Sequence, residues 1–509
     1  MSRNELKHIR INKNNFDEGD KMYVYREEDI RRIDATAESE GFSLFTLMEN
    51  AGRNVTERIV PFLKKEDRIA IIAGTGNNGG DGIVIARYLQ LAGYDVSLFF
   101  PLGEPKTAVA QRHFTFYKKQ QYNVTDWHER GTYDVIIDAL LGVGVTLPLR
   151  ERAVQIITWC NEQDALKIAI DIPTGTEADS GYVDEQAVFA AHQTICLHGY
   201  KQSAFLLPAK RYYGKVTAVS IGLKETGTVK VISEEDVKAT LPLRDENAHK
   251  GTYGTSLLIA GSDEMPGSAL LCAIGAIKCG TGKLTIATTK LATNTIVQAV
   301  PEATFMHDGI ERLVDGEWDE KIAAVGIGPG LTDRRAIDRV FHTLRDVPIP
   351  LVIDAGALYK RNDWKRDGPT ILTPHPGEMS RLTGISVRHI EANRMEVAST
   401  FAKENDVTVV LKGAHTVVAF SDGRVAINMT GNSGLAKGGS GDVLTGMIVS
   451  MLTTHEHVAD AVRNAVYIHG LCADLWSEQY SEESMVASDF RTLLPKLMHH
   501  LQSKEVDES

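Results

Sequence analysis

Cysteine is scarce in this 509-residue chain and forms no pattern. Cys160, Cys196, Cys272, Cys279 and Cys472 are an odd set without a C-x-x-C pair, which argues against a zinc site or a disulfide framework. No apolar run reaches the roughly 18 residues that a membrane-spanning helix needs. No block of Lys and Arg supplies the basic stripe of a nucleic-acid binder, and the net charge is −12. Neither a membrane nor a nucleic acid is therefore expected as a partner. The first 20 residues are polar and lack the apolar core of a signal peptide, so residues 1–24 read as a flexible extension and the setting as cytoplasmic. With 43% hydrophobic and 24% charged residues the composition is that of a globular protein, which excludes wholesale disorder and collagen-like repeats.

What is present is alternation. Over residues 25–223, short apolar runs predict strands at Arg68–Ala73, Asp95–Phe100, Asp134–Asp138, Lys167–Ile172, Thr194–Leu197 and Val216–Ile221, with helices such as Ile83–Ala92 and Arg150–Gln163 between them. Residues 224–250 lose the pattern and read as a boundary. Residues 251–501 resume it, with strands at Ser256–Ala260, Lys283–Ala287, Ala323–Gly326, Leu351–Asp354, Ile371–Thr373 and Val407–Leu411. Helices are expected at Gly267–Cys279, Arg388–Lys403 and Val443–Leu452. The fold class is α/β with two domains, each a parallel sheet clad in helices. The halves share no motif, so the chain reads as a fusion of two different domains.

In the first half, Gly74-Thr75-Gly76-Asn77-Asn78-Gly79-Gly80-Asp81-Gly82 follows an apolar strand and opens a helix. Glycines allow close backbone approach, and a helix N-terminus favours an anion. The run lacks the Gly-Lys-Ser/Thr of a phosphate-binding Walker loop. Asp138 and Asp171 each close an apolar strand, and carboxylates at strand tips can hold a cation or move protons. A plain turn or cap is the alternative for each motif taken alone.

Leu47–Gly52, the glycine run, Asp138 with Gly142-x-Gly144, and Asp171-Ile172-Pro173-x-Gly175 together resemble the NAD(P)HX epimerase family, which interconverts the R and S hydrates of damaged NADH and NADPH. The resemblance implies a Rossmann-like doubly wound domain. It implies hydrate binding by Asn77, Asn78, Gly79, Gly80 and Asp81 and by Gly142, Val143, Gly144, Val145, Thr146, Leu147 and Pro148. Asp171 would be the acid/base, and Asn78, Asp138 and Thr174 would coordinate a potassium ion.

In the second half, Gly431–Asp442 carries Gly438-Gly439-Ser440-Gly441 directly before an apolar helix. Consecutive amides there would form an anion hole for a transferring phosphoryl group, with Asp442 placed as a base. A simple helix cap is the alternative. The run, with Lys250–Gly254, Gly326–Gly330, Thr373–Glu378 and Leu411–Ala414, resembles the ribokinase-like superfamily and, within it, ADP-dependent NAD(P)H-hydrate dehydratases. The resemblance implies that Lys412, Gly413, Ala414, His415, Thr416, Asn432, Gly438, Gly439, Ser440 and Gly441 surround ADP. Ser268, Gly330, His375 and Asp442 would contact the hydrate, and magnesium would bridge the nucleotide phosphates. Two departures stand out: Gly356 where an Asp is expected, and Lys437 where a Thr is expected. The second would bring a positive charge near the phosphates.

The resulting expectation is a bifunctional repair enzyme, acting as a homo-oligomer on NAD(P)HX and ADP and releasing AMP and phosphate. The alternative is a small-molecule kinase of vitamin precursors carrying a non-catalytic N-terminal binding module.

Overall fold

The computed structural model describes residues 23–503 apart from 130, 225, 318 and 362. Most of the expected N-terminal extension lies outside these residues. Its last residue does not behave as an extension: Val24–Tyr25 is a strand, paired in parallel with Tyr200–Lys201. The chain divides into two compact units between Lys230 and Val231, with Glu391–Asn393 counted in the first.

The first unit is built on six parallel strands in the spatial order Asp95–Phe99, Arg68–Ala73, Val135–Ala139, Leu166–Ile170, Gln193–Leu197 and Lys215–Val219. Isoleucine dominates the central strands: Ile69, Ile71, Ile137, Ile168 and Ile170 are fully buried, as a sheet covered on both faces requires. The chain order reverses between Arg68–Ala73 and Val135–Ala139. Ligands in open α/β sheets bind outside such a reversal, at the carboxyl ends of the strands. The glycine run follows one of these two strands and Leu140–Gly144 the other.

The second unit has a ten-stranded sheet. Its parallel part runs Thr304–Met306, Lys283–Ala287, Thr255–Ile259, Ile322–Ile327, Leu351–Ile353, Thr370–Leu372 and Thr408–Leu411. An antiparallel hairpin, Thr416–Ala419 with Val425–Asn428, extends it, and Val229–Val231 forms the edge. Here the order reverses between Thr255–Ile259 and Ile322–Ile327, so the loops after these strands are the expected ligand end.

The segment read as a boundary, 224–250, is only partly loop. It holds the strand Val229–Val231 and the helix Glu234–Thr240. Three of its acids belong to the helix start: Ser233 and Asp236 form a capping box, and Glu234 and Glu235 sit in the first turn. Acidic residues there are stabilised by the helix dipole. A seven-residue helix is too short to show a period.

The stretch Arg388–Lys403, expected as one helix, is two: Val387–Ala392 and Arg394–Asn405. The glycine-run helix begins at Asn77, six residues before the expected Ile83, because Gly79, Gly80 and Gly82 lie inside it. Glycine is a poor helix former, and tertiary contact overrides the propensity. A Cβ on Gly79 would lie 1.9 Å from the Gly74 carbonyl oxygen, and one on Gly82 would lie 2.8 Å from Ala139 Cβ.

Candidate active sites

At the first reversal the two loops meet closely. A Cβ on Gly74 would lie 1.7 Å from the Leu140 carbonyl oxygen, and one on Gly142 would lie 3.2 Å from Asn78 Cβ. At position 74 only glycine permits this approach. Outside the contact lies a cavity of 620 Å³. Asn77, Asn78, Asp81, Gly142, Val143, Gly144, Val145 and Asp171 all line it. Gly79, Gly80, Thr146, Leu147 and Pro148 are not in its lining. Gly79 and Gly80 turn inward, the latter against Met48, and residues 146–148 lead away to the helix Glu151–Glu162.

Asp138 is buried at the end of its strand. Its Oδ1 accepts from the Leu140 amide (3.1 Å) and the Thr174 hydroxyl (2.8 Å), and its Oδ2 accepts from the Thr174 amide (2.8 Å). Burial raises its pKa to about 6 against these hydrogen bonds. Asn78 donates Nδ2 to the Leu141 carbonyl (3.1 Å), while its buried Oδ1 has no partner among the described residues. The structure thus gathers Asn78, Asp138 and Thr174 around one point.

Asp171 adopts a left-handed backbone, φ 70°. Non-glycine residues reach this region at a cost and concentrate at functional sites. Its Oδ1 accepts from the Leu197 amide (3.0 Å) and from the Lys201 ammonium. Lys201, almost fully buried, also donates to the carbonyls of Leu197 (2.9 Å) and Gly199 (3.1 Å). Sequence reasoning missed Lys201. No local motif announces it, since the strand pair Tyr25–Lys201 and the partner Asp171 both lie far away in the chain. Asp34, His198, Glu27 and Arg31, none of them singled out in the sequence, also line the cavity.

The second site is organised around Asp354. Its carboxylate, 1% exposed, accepts from Thr373 Oγ1 (2.7 Å), Lys412 Nζ (2.9 Å) and Thr445 Oγ1 (2.8 Å). The Lys412 ammonium also lies 3.9 Å from Glu378. Burial works against its charge, but Asp354 and Glu378 outweigh that and hold the Lys412 pKa above its ordinary value. A Cβ on Gly441 would lie 3.2 Å from Lys412 Nζ, so the ammonium stands directly at the glycine run.

Gly439 caps the helix Ser440–Thr454 at φ 91°. The first-turn amides of this helix have no intrahelical partners. Asp442 is its third residue and lies beside Ser268. Burial, with the charge of Asp354, raises Asp442 to about 6, while Ser268 and Lys412 oppose the shift. Gly330 and Ser268 are adjacent, a Cβ on Gly330 falling 2.9 Å from that of Ser268. Ser268, Gly330 and Asp442 are therefore brought together.

His375 is the N-cap of the helix Pro376–Thr383. Its Nδ1 accepts from the amides of Gly377 (3.0 Å) and Glu378 (3.3 Å), and its Nε2 lies 3.5 Å from Glu378 Oε1. His415 is buried, while Gly413 and Ala414 are exposed at the turn before Thr416. Asn432 shapes its own loop, accepting from the Gly434 amide (3.0 Å) and donating to Asp474 (3.2 Å). The two departures also have local accounts. A Cβ on Gly356 would lie 1.9 Å from the Leu331 carbonyl oxygen, so a larger residue has no room there. The Lys437 ammonium donates to the Glu483 carbonyl, so its hydrogen bonding is directed at that loop.

Comparison with known proteins separates the same two parts. The family described as YjeF-related protein N-terminus matches residues 44–203, and that described as NAD(P)H-hydrate dehydratase matches residues 256–496. The bifunctional NAD(P)H-hydrate repair enzyme of Thermofilum pendens is 34% identical over 94% of this chain and 97% of its own. The ADP-dependent (S)-NAD(P)H-hydrate dehydratase of Bacillus subtilis is 48% identical over 52% of this chain and 96% of its own. The crystal structure of an ADP/ATP-dependent NAD(P)H-hydrate dehydratase from Bacillus subtilis, co-crystallised with ATP and magnesium, is 46% identical, with a TM-score of 0.52 over 53% of this chain and 98% of that one. With a relative of this identity matched along nearly its whole length, the chain belongs to the bifunctional NAD(P)H-hydrate repair enzymes.

Proposed function

We propose that the first unit epimerises the hydrate at Asp171 and that the second dehydrates its S form with Asp442 as the base, using ADP. The observation that carries the second role is the placement of Asp442 in the first turn behind Gly438–Gly441, beside Ser268 and Gly330. The hydroxyl on the reduced ring is a poor leaving group. Asp442 takes its proton as a phosphoryl group arrives, and the glycine-run amides with Lys412 spread the transferred charge. Expulsion of phosphate by the ring-nitrogen electrons leaves a C=N bond, and loss of a proton from the adjoining ring carbon then restores the dihydropyridine. Asp354 holds Lys412 in place for this. Of the carboxylates nearest Lys412, Asp354 is taken up by Thr373, Lys412 and Thr445, which leaves Glu378 as the oxygen donor that could help hold magnesium. Bound with the nucleotide, magnesium would neutralise phosphate charge.

In the first unit, the buried Lys201 is ion-paired with Asp171, which fixes the carboxylate at the cavity wall. Asn78, Asp138 and Thr174 suit a potassium ion. Asn78 offers a buried oxygen with no partner, Asp138 a carboxylate, and Thr174 a hydroxyl, with no thiol or imidazole among them. Such an ion would offset the negative charge of the hydrate's pyrophosphate.

The test compares epimerisation in potassium, sodium and a bulky organic cation at equal ionic strength. Wild-type protein is expected to be fastest in potassium. Asp138→Ala should lose both the rate and the cation preference while dehydration of pure S hydrate persists. Equal rates in all three cations would leave Asp138 a turn-capping residue.

A further inference from the structure

Asp34 stands in the wall of the first cavity, and no step above uses it. The helix Glu27–Ser39 turns Glu27, Ile30, Arg31 and Asp34 to the cavity, the three-to-four-residue spacing of one helical face. The other carboxylates on these walls are not alike. Glu27 accepts from Arg31, and Asp171 accepts from Lys201 and the Leu197 amide. Asp34 and Asp81 accept no hydrogen bond from any described residue, and Asp81 is only 7% exposed. Three acids, Asp34, Asp81 and Asp171, interact with the single ammonium of Lys201. Three carboxylates cannot all stay ionised against one cation in a partly desolvated cavity, so the group retains a proton.

Inversion at the hydroxyl-bearing carbon sets a matching demand. That carbon adjoins the ring nitrogen. If its C–O bond breaks, the nitrogen lone pair forms a C=N bond and the departing hydroxyl takes up one proton to leave as water. A water then adds to the opposite face of the carbon, and the proton it releases passes to a carboxylate as the nitrogen lone pair is regenerated. Protons and electrons balance, and no redox partner is needed. The route needs one carboxylic acid and one carboxylate, supplied from separate elements.

We propose that Asp34 is the second proton carrier of the epimerase, working with Asp171 on the hydroxyl of the hydrate. This rests on the assignment of epimerisation to the first unit. Asp34 comes from the helix and Asp171 from a strand end, so the two approach the cavity from different elements. In one direction Asp34 protonates the leaving hydroxyl while Asp171 receives the proton of the entering water; in the other direction the roles exchange.

The electrostatics agree. Burial and the charge of Asp171 raise Asp34 to about 6, with Lys201 opposing. Burial and the charges of Asp171 and Asp34 push Asp81 up as well, with Lys201 opposing. Burial and Lys201 lower His198 to about 4, so it does not compete for the proton. Glu27 and Arg31, on the helix of Asp34, pair with each other.

Three readouts on the full-length protein test this. Wild-type epimerisation, followed without ADP, should slow as pH rises through about 6, because Asp34 then loses its proton. Each inversion in water labelled with heavy oxygen should place one solvent oxygen on the ring. Asp34→Asn should lower epimerisation by about 10²–10⁴-fold and remove the limb near pH 6, with S-hydrate dehydration and the thermal transition unchanged. Asp34→Glu should restore much of the rate together with a limb. Inversion without solvent oxygen, an Asp34→Asn variant as fast as wild type, or an Asp34→Glu variant as slow as Asp34→Asn would overturn the role. Absence of epimerisation in wild-type protein would instead overturn the assignment of the first unit.

Discussion

Asp442→Asn is expected to lower ADP-dependent dehydration of S hydrate by about 10²–10⁴-fold, the usual loss when one positioned base is removed. The substitution keeps size and shape and removes only the ability to take a proton. Nucleotide binding should persist, because Lys412, Asp354 and the amides of Gly438–Gly441 remain. The loss should therefore fall on kcat, with little change in the concentration of ADP needed. The pH profile supplies a second sign. With Asp442 raised to about 6, the base is ionised above that pH and protonated below it, so wild-type dehydration should fall as pH drops through 6. Wild-type turnover in Asp442→Asn would sink the assignment.

Replacing Asp171 by alanine should have an effect of similar size on the other reaction. Epimerisation of pure R hydrate without ADP should fall toward the spontaneous rate. The substitution also leaves Lys201, 1% exposed, as a buried cation without its carboxylate. Breaking a buried pair in this way costs about 3–5 kcal/mol, so the first unit should also melt at a lower temperature. Asp171→Asn keeps an acceptor for Lys201 and the Leu197 amide, and it separates the two effects. It should melt closer to wild type while remaining inactive as an epimerase. Near-wild-type epimerisation in Asp171→Asn would show that the carboxylate serves only to hold Lys201.

Much of this account is legible in the sequence because its signals are local. The glycine run after Arg68–Ala73, the acids at the ends of two strands, and Gly438–Asp442 before an apolar helix are each contained within a dozen residues. Topology then places them at the reversal points of the two sheets. What was not legible depends on partners remote in sequence. Lys201 is defined by Asp171 and by the strand Val24–Tyr25, and Asp34 by a cavity whose other walls come from stretches as far apart as Thr75–Asp81, Leu140–Val145 and Leu197–Lys201. Asp354 was visible only as the end of an apolar strand. Its importance lies in Thr373, Lys412 and Thr445, which the sheet brings to it. The hairpin Thr416–Ala419 with Val425–Asn428 escaped notice although it carries a turn signal, Asp422-Gly423, because its strands are only four residues each and show too little alternation to stand out. The break at Asn393 escaped because the helices on either side of it keep a common helical character.

The central claim is that two separate centres, one per unit, act in sequence on a hydrate that passes between them in solution. It is tested by mixing the Asp442→Asn and Asp171→Asn proteins and following the absorbance of restored NADH from racemic hydrate with ADP. Alone, Asp442→Asn should restore almost nothing, and Asp171→Asn should stop near the S fraction and continue only as fast as the R form epimerises spontaneously. Together, the two proteins should carry the whole mixture to NADH at a rate approaching that of wild type. A mixture that still stops at the S fraction would contradict two centres joined by a freely diffusing hydrate.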